Sequence, residues 1–180
     1  MKSRAPKPKR PSPTAKRVRS LHPAASYPVV GIGASAGGLE AATALLRELP
    51  PDTGMSFILV QHLDPQHESA LTSLLSRVTT LPVTEARDGM LAQPDHVYVI
   101  PPNKLMGIKD RTLRLLPRGG GHDLHASVDY FFRALAADQG GQAFGIVLSG
   151  TGTDGTLGLE EIKAAGGITF VQDEASAKYA

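Results

Sequence analysis

Pro28-Val-Val-Gly-Ile-Gly-Ala-Ser-Ala-Gly-Gly38 opens with a short β-branched run and ends in glycines. The run reads as a buried strand. The segment from Ala36 to Leu49 carries Ala, Leu and Glu, reads as a helix and is closed by Pro50-Pro51. The same alternation continues outward. Met55 to Gln61 is a second continuous apolar strand, and His67 to Arg77 is helical with Leu71, Leu74 and Leu75 on one face. Pro82 to Ala86 and His96 to Ile100 are short strands, the second stopped by Pro101-Pro102. Leu105–Lys109 and Thr112–Leu116 flank Asp110-Arg111 as a hairpin. Ser127 to Asp138 is a helix with Ser127 as candidate N-cap and Val128, Phe131, Phe132 and Leu135 as one apolar stripe. Ala143 to Leu148 is a buried strand, Leu157 to Ala165 a helix ended by Gly166-Gly167, and Ile168 to Val171 a last strand. Apolar strands alternating with amphipathic helices make βαβ units. The expected fold class is α/β: a doubly wound, mostly parallel sheet with helices on both faces and a small antiparallel hairpin.

The 180 residues fit one domain. There is no cysteine, which excludes disulfide scaffolds, cysteine nucleophiles and thiolate zinc sites. No apolar run approaches the roughly 18 residues of a membrane span. The formal charge of +2 hides a division. Residues 1–27 hold eight Lys/Arg and no acid, interrupted by Pro6, Pro8, Pro11, Pro13 and Pro23, whereas the remainder holds 11 Lys/Arg against 17 Asp/Glu. Residues 1–27 read as a disordered basic, proline-rich tail without the apolar segment of a secretory signal, a solvated extension rather than a contact for nucleic acid or an anionic surface. Residues 28–180 read as the globular domain. No nucleic-acid partner and no membrane insertion are expected.

Three strand ends carry chemistry. After the first strand, Gly33-Ala-Ser35-Ala-Gly37 matches G-x-S-x-G, the turn that lifts a serine hydroxyl into the open. The same glycines fit a dinucleotide fingerprint, or a plain glycine-rich turn with Ser35 as N-cap. The second strand ends in Gln61-His62-Leu63-Asp64-Pro65, where a dinucleotide fold places an acid to hold the ribose. A histidine there is placed to take a proton from the serine, or to make a structural hydrogen bond. The third strand ends in Ser149-Gly-Thr151-Gly-Thr-Asp154-Gly155, with Asp154 either an orienting carboxylate or a cap for the helix that follows. Taken together, the three ends suit a nucleophile, base and carboxylate. Their chain order, Ser…His…Asp, differs from the Ser…Asp…His of α/β-hydrolases. His62-x4-His67 and His122-Asp123-Leu-His125 lack a metal-ligand pattern, and no metal or other cofactor is expected. Arg133 belongs to the wet face of its helix. Arg118 and the Gly119–Gly121 loop are candidate borders of the substrate.

These residues resemble the catalytic domain of the chemotaxis receptor methylesterase, CheB. The matches are Gly31-Ile-Gly-Ala-Ser35-Ala-Gly-Gly38, Gln61-His62, Asp88-Gly89, Ser127-Val128-Asp129, Gly150-Thr-Gly-Thr-Asp154-Gly155 and Gln172-Asp-Glu-Ala175, in family order over about residues 28–176. The wording is most like the esterase domain that begins fusions with a receptor methyltransferase. The resemblance implies a cytoplasmic serine hydrolase that removes glutamate γ-methyl esters, and deamidates glutamines, on chemoreceptor cytoplasmic helices. It implies Ser35 as nucleophile, His62 as base, Asp154 as its orienting carboxylate, and the amides of Ala36 and Thr151 as oxyanion donors. The implied partners are the receptor and a fused or separate methyltransferase. Ala36 stands where many members have Thr, and Thr151 where many have Met. The resemblance also implies a C-terminal helix and strand beyond Ala180, without which an apolar sheet face and edge are expected to lie open. The alternatives are an inactive esterase-like module that binds receptor or partner, and an NAD(P)-binding Rossmann domain.

Overall fold

The computed structural model describes residues 26–35, 37–61, 70–118, 126–150 and 153–177. Its elements run β1 (Val29–Ala34), α1 (Gly38–Arg47), β2 (Ser56–Gln61), α2 (Ala70–Leu75), β3 (Val83–Glu85), β4 (His96–Val99), β5 (Lys104–Lys109) and β6 (Thr112–Pro117), then α3 (Ser127–Gln139), β7 (Ala143–Val147), α4 (Thr156–Ala164) and β8 (Ile168–Val171). Six strands form one parallel sheet in the order β3-β4-β2-β1-β7-β8, and β5 and β6 form a separate antiparallel pair. The doubly wound α/β expectation holds. The tail expected over residues 1–27 lies, up to residue 25, outside the described residues.

The apolar runs are continuous because the sheet is covered on two faces. Val30, Ile32 and Ala34 of β1 point into a core with Ala42 and Leu46 of α1 and Leu71 and Leu75 of α2. Val29 points the other way, into a core with Phe131, Phe132 and Leu135 of α3 and Ile162 of α4. Fully burying such a side chain contributes about 1.5–3 kcal/mol. Gly31 and Gly33 share the Val29 face. A Cβ at Gly31 would lie 2.8 Å from Phe132, and one at Gly33 would lie 2.3 Å from a methyl of Val128. The two glycines leave a smooth strip on which α3 lies almost against the backbone of β1. Val128, at the start of α3, sits over Gly33, and Leu135, two turns on, over Gly31. The helix therefore runs antiparallel to β1, with its N-terminus at the carboxyl end of the sheet.

Several local readings change. Helix α1 begins at Gly38 and ends at Arg47, inside the expected span of 36–49. In α2, Leu71 and Leu75, one turn apart, are buried, but Leu74 is 45% exposed and does not share their face. Ser127 is the first residue of α3 and not its N-cap; that position is Ala126, which offers no side-chain acceptor. The hairpin turns at Asp110 (φ 50°) and Arg111 (φ 57°). Two positive φ values in a two-residue loop match the right-handed twist of the strands, and the carboxylate of Asp138 accepts both backbone N–H groups. Among the described residues strand β8 pairs with β7 only, and its Ile168, Phe170 and Val171 are exposed. Arg133 is exposed, as expected of a wet-face residue. Among the described residues, no helix is long and apolar enough to cross a membrane.

Candidate active site

Strand order reverses at β1. The chain leaves β1 toward β2, whereas β7, on its other side, leads outward to β8. In an open α/β sheet a crevice forms at such a point, outside the carboxyl ends of the strands. The register aligns three tips there, with Ala34 opposite Gln61 and Gly33 opposite Val147. The β1–β7 ladder continues past the strands, since Leu148 N–H donates to Gly33 O (2.9 Å) and Ser35 N–H to Ser149 O (3.3 Å). Ser35 thus occupies the first position beyond the central strand. Among the described non-glycine residues, positive φ occurs at Asp95, Asn103, Asp110 and Arg111, and not at Ser35. The tight turn is taken instead by Gly37, at φ 76°. Gly38 N–H closes it by donating to Ser35 O (2.9 Å).

Gly150 packs directly on the serine. A Cβ built there would meet the Cβ of Ser35 at 2.6 Å, and its Cα and N at 3.4 Å. The β7 loop can pass the serine only with hydrogen at this position. That loop is held in turn by Gln172. The Oε1 of Gln172 accepts Ser149 N–H at 2.7 Å, while its Nε2 donates to Ser176 O (3.1 Å) and Oγ (3.3 Å). Asp154 stands further along the same loop. Its two oxygens accept the N–H groups of Val128 (3.0 Å) and Asp129 (2.9 Å) at the N-terminus of α3. Asp154 therefore does cap a helix, but not the one that follows it. The positive end of α3 favours the charged carboxylate at this spot.

The glycines also bear on the dinucleotide reading of the first strand end. In a dinucleotide fingerprint they leave the backbone open to a pyrophosphate. Here the space beside Gly31 and Gly33 is filled by Phe131, Phe132 and Val128. That beside Gly38 holds the Cβ of Ala34, 2.4 Å from where its own Cβ would be. The tip of β2 is Gln61 and not an acid. Ser35 lies just past the strand tip, and the N-cap of α1 is Gly37 and not Ser35.

The structure thus places Ser35 just past the tip of β1 and Asp154 in the loop after β7, on the N-terminal amides of α3. His62 follows Gln61 directly in sequence. His62, Ala36 and Thr151 lie outside the described residues, as do Asp64, His67, His122, His125 and the Gly119–Gly121 loop. Reading the sequence alone assigned no role to Gly150, Gln172 or Asp129, although each stands in a motif quoted above. A glycine directly after a strand tip was the available signal for Gly150. Gln172 and Asp129 act across the fold, and nothing local announces their partners.

Fold and site together define a doubly wound α/β domain with a serine just past its central strand and a helix-capping carboxylate in the loop after β7. The profile of the CheB methylesterase family matches residues 30–180. The chain belongs to that family. It is 41% identical over 156 residues to protein-glutamate methylesterase/protein-glutamine glutaminase 2 of Burkholderia lata, covering 82% of this chain and 44% of that protein. It is 35% identical over 162 residues to the protein-glutamate methylesterase/protein-glutamine glutaminase of Yersinia pestis bv. Antiqua, covering 84% of this chain and 44% of that protein. It thus spans a little under half the length of these curated relatives. Among solved structures, the catalytic domain of the Thermotoga maritima CheB methylesterase superposes with a TM-score of 0.79 at 26% identity, covering 86% of this chain and 84% of that one.

Proposed function

We propose that this domain, residues 28–180, is a cytoplasmic serine hydrolase that removes γ-methyl esters from glutamates, and amides from glutamines, on chemoreceptor cytoplasmic helices. The observation that carries the proposal is the position of Ser35, between a strand tip that leads directly into His62 and one whose loop carries Asp154. The relatives named for both activities supply the substrate class. Ser35 attacks the ester carbonyl while His62 takes its proton. The tetrahedral oxyanion is held by the backbone amides of Ala36 and Thr151; loss of one such donor costs on the order of 100-fold or more in rate. His62 returns the proton to the departing methoxide, releasing methanol and leaving an acyl-serine. Water, deprotonated by His62, then attacks the acyl carbon, and Ser35 leaves with the proton. Asp154 stabilises the imidazolium in both halves. No metal or organic cofactor enters the scheme. The enzyme that makes the substrate is a receptor methyltransferase, fused or separate.

A serine-directed fluorophosphonate tests the nucleophile. The expected result is an adduct mapped by peptide mass spectrometry to Ser35 and abolished in His62→Ala. A folded protein that takes no label at Ser35 overturns the proposal.

A further inference from the structure

Helices α3 and α4 begin side by side at the carboxyl end of the sheet, and neither is capped by its own N-cap residue, Ala126 in one case and Gly155 in the other. Each is capped by an aspartate from the other's start. Asp154 accepts Val128 N–H at one oxygen and Asp129 N–H at the other. Asp129, in the first turn of α3 and 7% exposed, accepts Gly155 N–H (3.0 Å) and Gly158 N–H (2.6 Å), both at the same oxygen. The two caps cross. The backbone of Asp129 holds the side chain of Asp154, and the side chain of Asp129 holds the backbone next to Asp154. The Asp154 loop cannot shift against α3 without loosening both.

We infer that Asp129 is a positioning residue for the hydrolysis, fixing the Asp154 carboxylate where His62 uses it. This rests on the hydrolase reading above. Misplacement of a catalytic group by about 1 Å costs on the order of 100-fold in rate. The bond pattern separates the two aspartates. An asparagine at 129 retains one oxygen able to accept both N–H groups, and Asn caps as well as Asp. An asparagine at 154 turns an NH₂ toward one of the amides that now donates to it.

The test compares the parent, Asp129→Ala and Asp129→Asn for methanol release from a methylated chemoreceptor cytoplasmic fragment, as kcat, KM and pH profile, with folding checked by circular dichroism. In Asp129→Ala, kcat is expected to fall about 100-fold with little change in KM. The acidic limb of kcat/KM is expected to move to lower pH, because an imidazolium without its carboxylate loses its proton more readily. Asp129→Asn is expected to keep the parent's limb and recover kcat to within about tenfold of the parent. Loss of stability alone would reduce the folded fraction and leave the limb in place. A folded Asp129→Ala with the parent's kcat and limb overturns the inference alone. So does a displaced limb in Asp129→Asn, which decides the matter even where the alanine variant does not fold. A folded parent that releases no methanol overturns the hydrolase reading and this inference with it.

Discussion

Replacing Gly150 by alanine puts a methyl carbon 2.6 Å from the Cβ of Ser35. Non-bonded carbons rest at about 3.5–4.0 Å, so roughly 1 Å of separation must be found. It cannot come from a flexible side-chain end, because the three nearest atoms are the Cβ, Cα and N of Ser35 itself. Either the β7 loop or the serine moves. The bond from Ser35 N–H to Ser149 O, already 3.3 Å long, does not survive a further 1 Å. Overpacking of this kind costs about 1–3 kcal/mol, which in a domain of this size lowers Tm by about 2–4 °C for each kcal/mol. The larger effect falls on chemistry. A nucleophile displaced by about 1 Å loses on the order of 100-fold in kcat. Fluorophosphonate labelling of Ser35 should slow in parallel, since it needs the same oxygen in the same place. A folded Gly150→Ala with the parent's kcat and labelling rate would refute the packing argument.

Gly33→Ala places its Cβ 2.3 Å from a methyl of Val128 and is expected to cost about 1–3 kcal/mol in urea unfolding; Val128→Ala in the same chain should recover part of that, and strict additivity in the cycle would count against it. Gln172→Met removes the acceptor of Ser149 N–H, in a residue only 4% exposed, and should cost about 1–3 kcal/mol. Gln172→Glu keeps that acceptor and should cost less, so equal losses would contradict the role given to Oε1. Burial holds the Tyr98 phenol above its ordinary pKa of about 10, although the N–H of Gln93, donating to its oxygen, pulls the other way. Because the folded value is the higher one, the stability linked to the neutral phenol is complete below about pH 10 and is lost as pH rises beyond it. Urea unfolding across that window should show a shallower decline in Tyr98→Phe than in the parent, and identical slopes would remove the assignment.

Most of the fold is legible in the sequence because a parallel sheet leaves a strong mark. Strands buried on both faces must be apolar throughout, as Val29–Ala34 and Ser56–Gln61 nearly are, and the helices between them must show one wet side. Of the site, the positions are legible and the roles are not: the rule that chemistry gathers at carboxyl strand ends points to Ser35 and Asp154, of which Ser35 follows β1 directly and Asp154 lies in the loop after β7. What escaped local reading depends on tertiary contact. Ser127 has the residue type of an N-cap, yet the amides of its helix are met by Asp154, 27 positions later. Asp129 looks like an ordinary first-turn acid but reaches across to α4. Leu74 has the composition of a core residue, yet it points away from the face that buries Leu71 and Leu75. Strand β8 reads like the other apolar strands, but it lies at the edge of the sheet and leaves Ile168, Phe170 and Val171 open.

The decisive measurement is methanol release from a methylated chemoreceptor cytoplasmic fragment, with Ser35→Ala as the paired control. Release by the parent and its loss in Ser35→Ala is the predicted result. No release from a parent shown by circular dichroism to be folded, or equal release from both proteins, would contradict the assignment of this domain as a serine methylesterase.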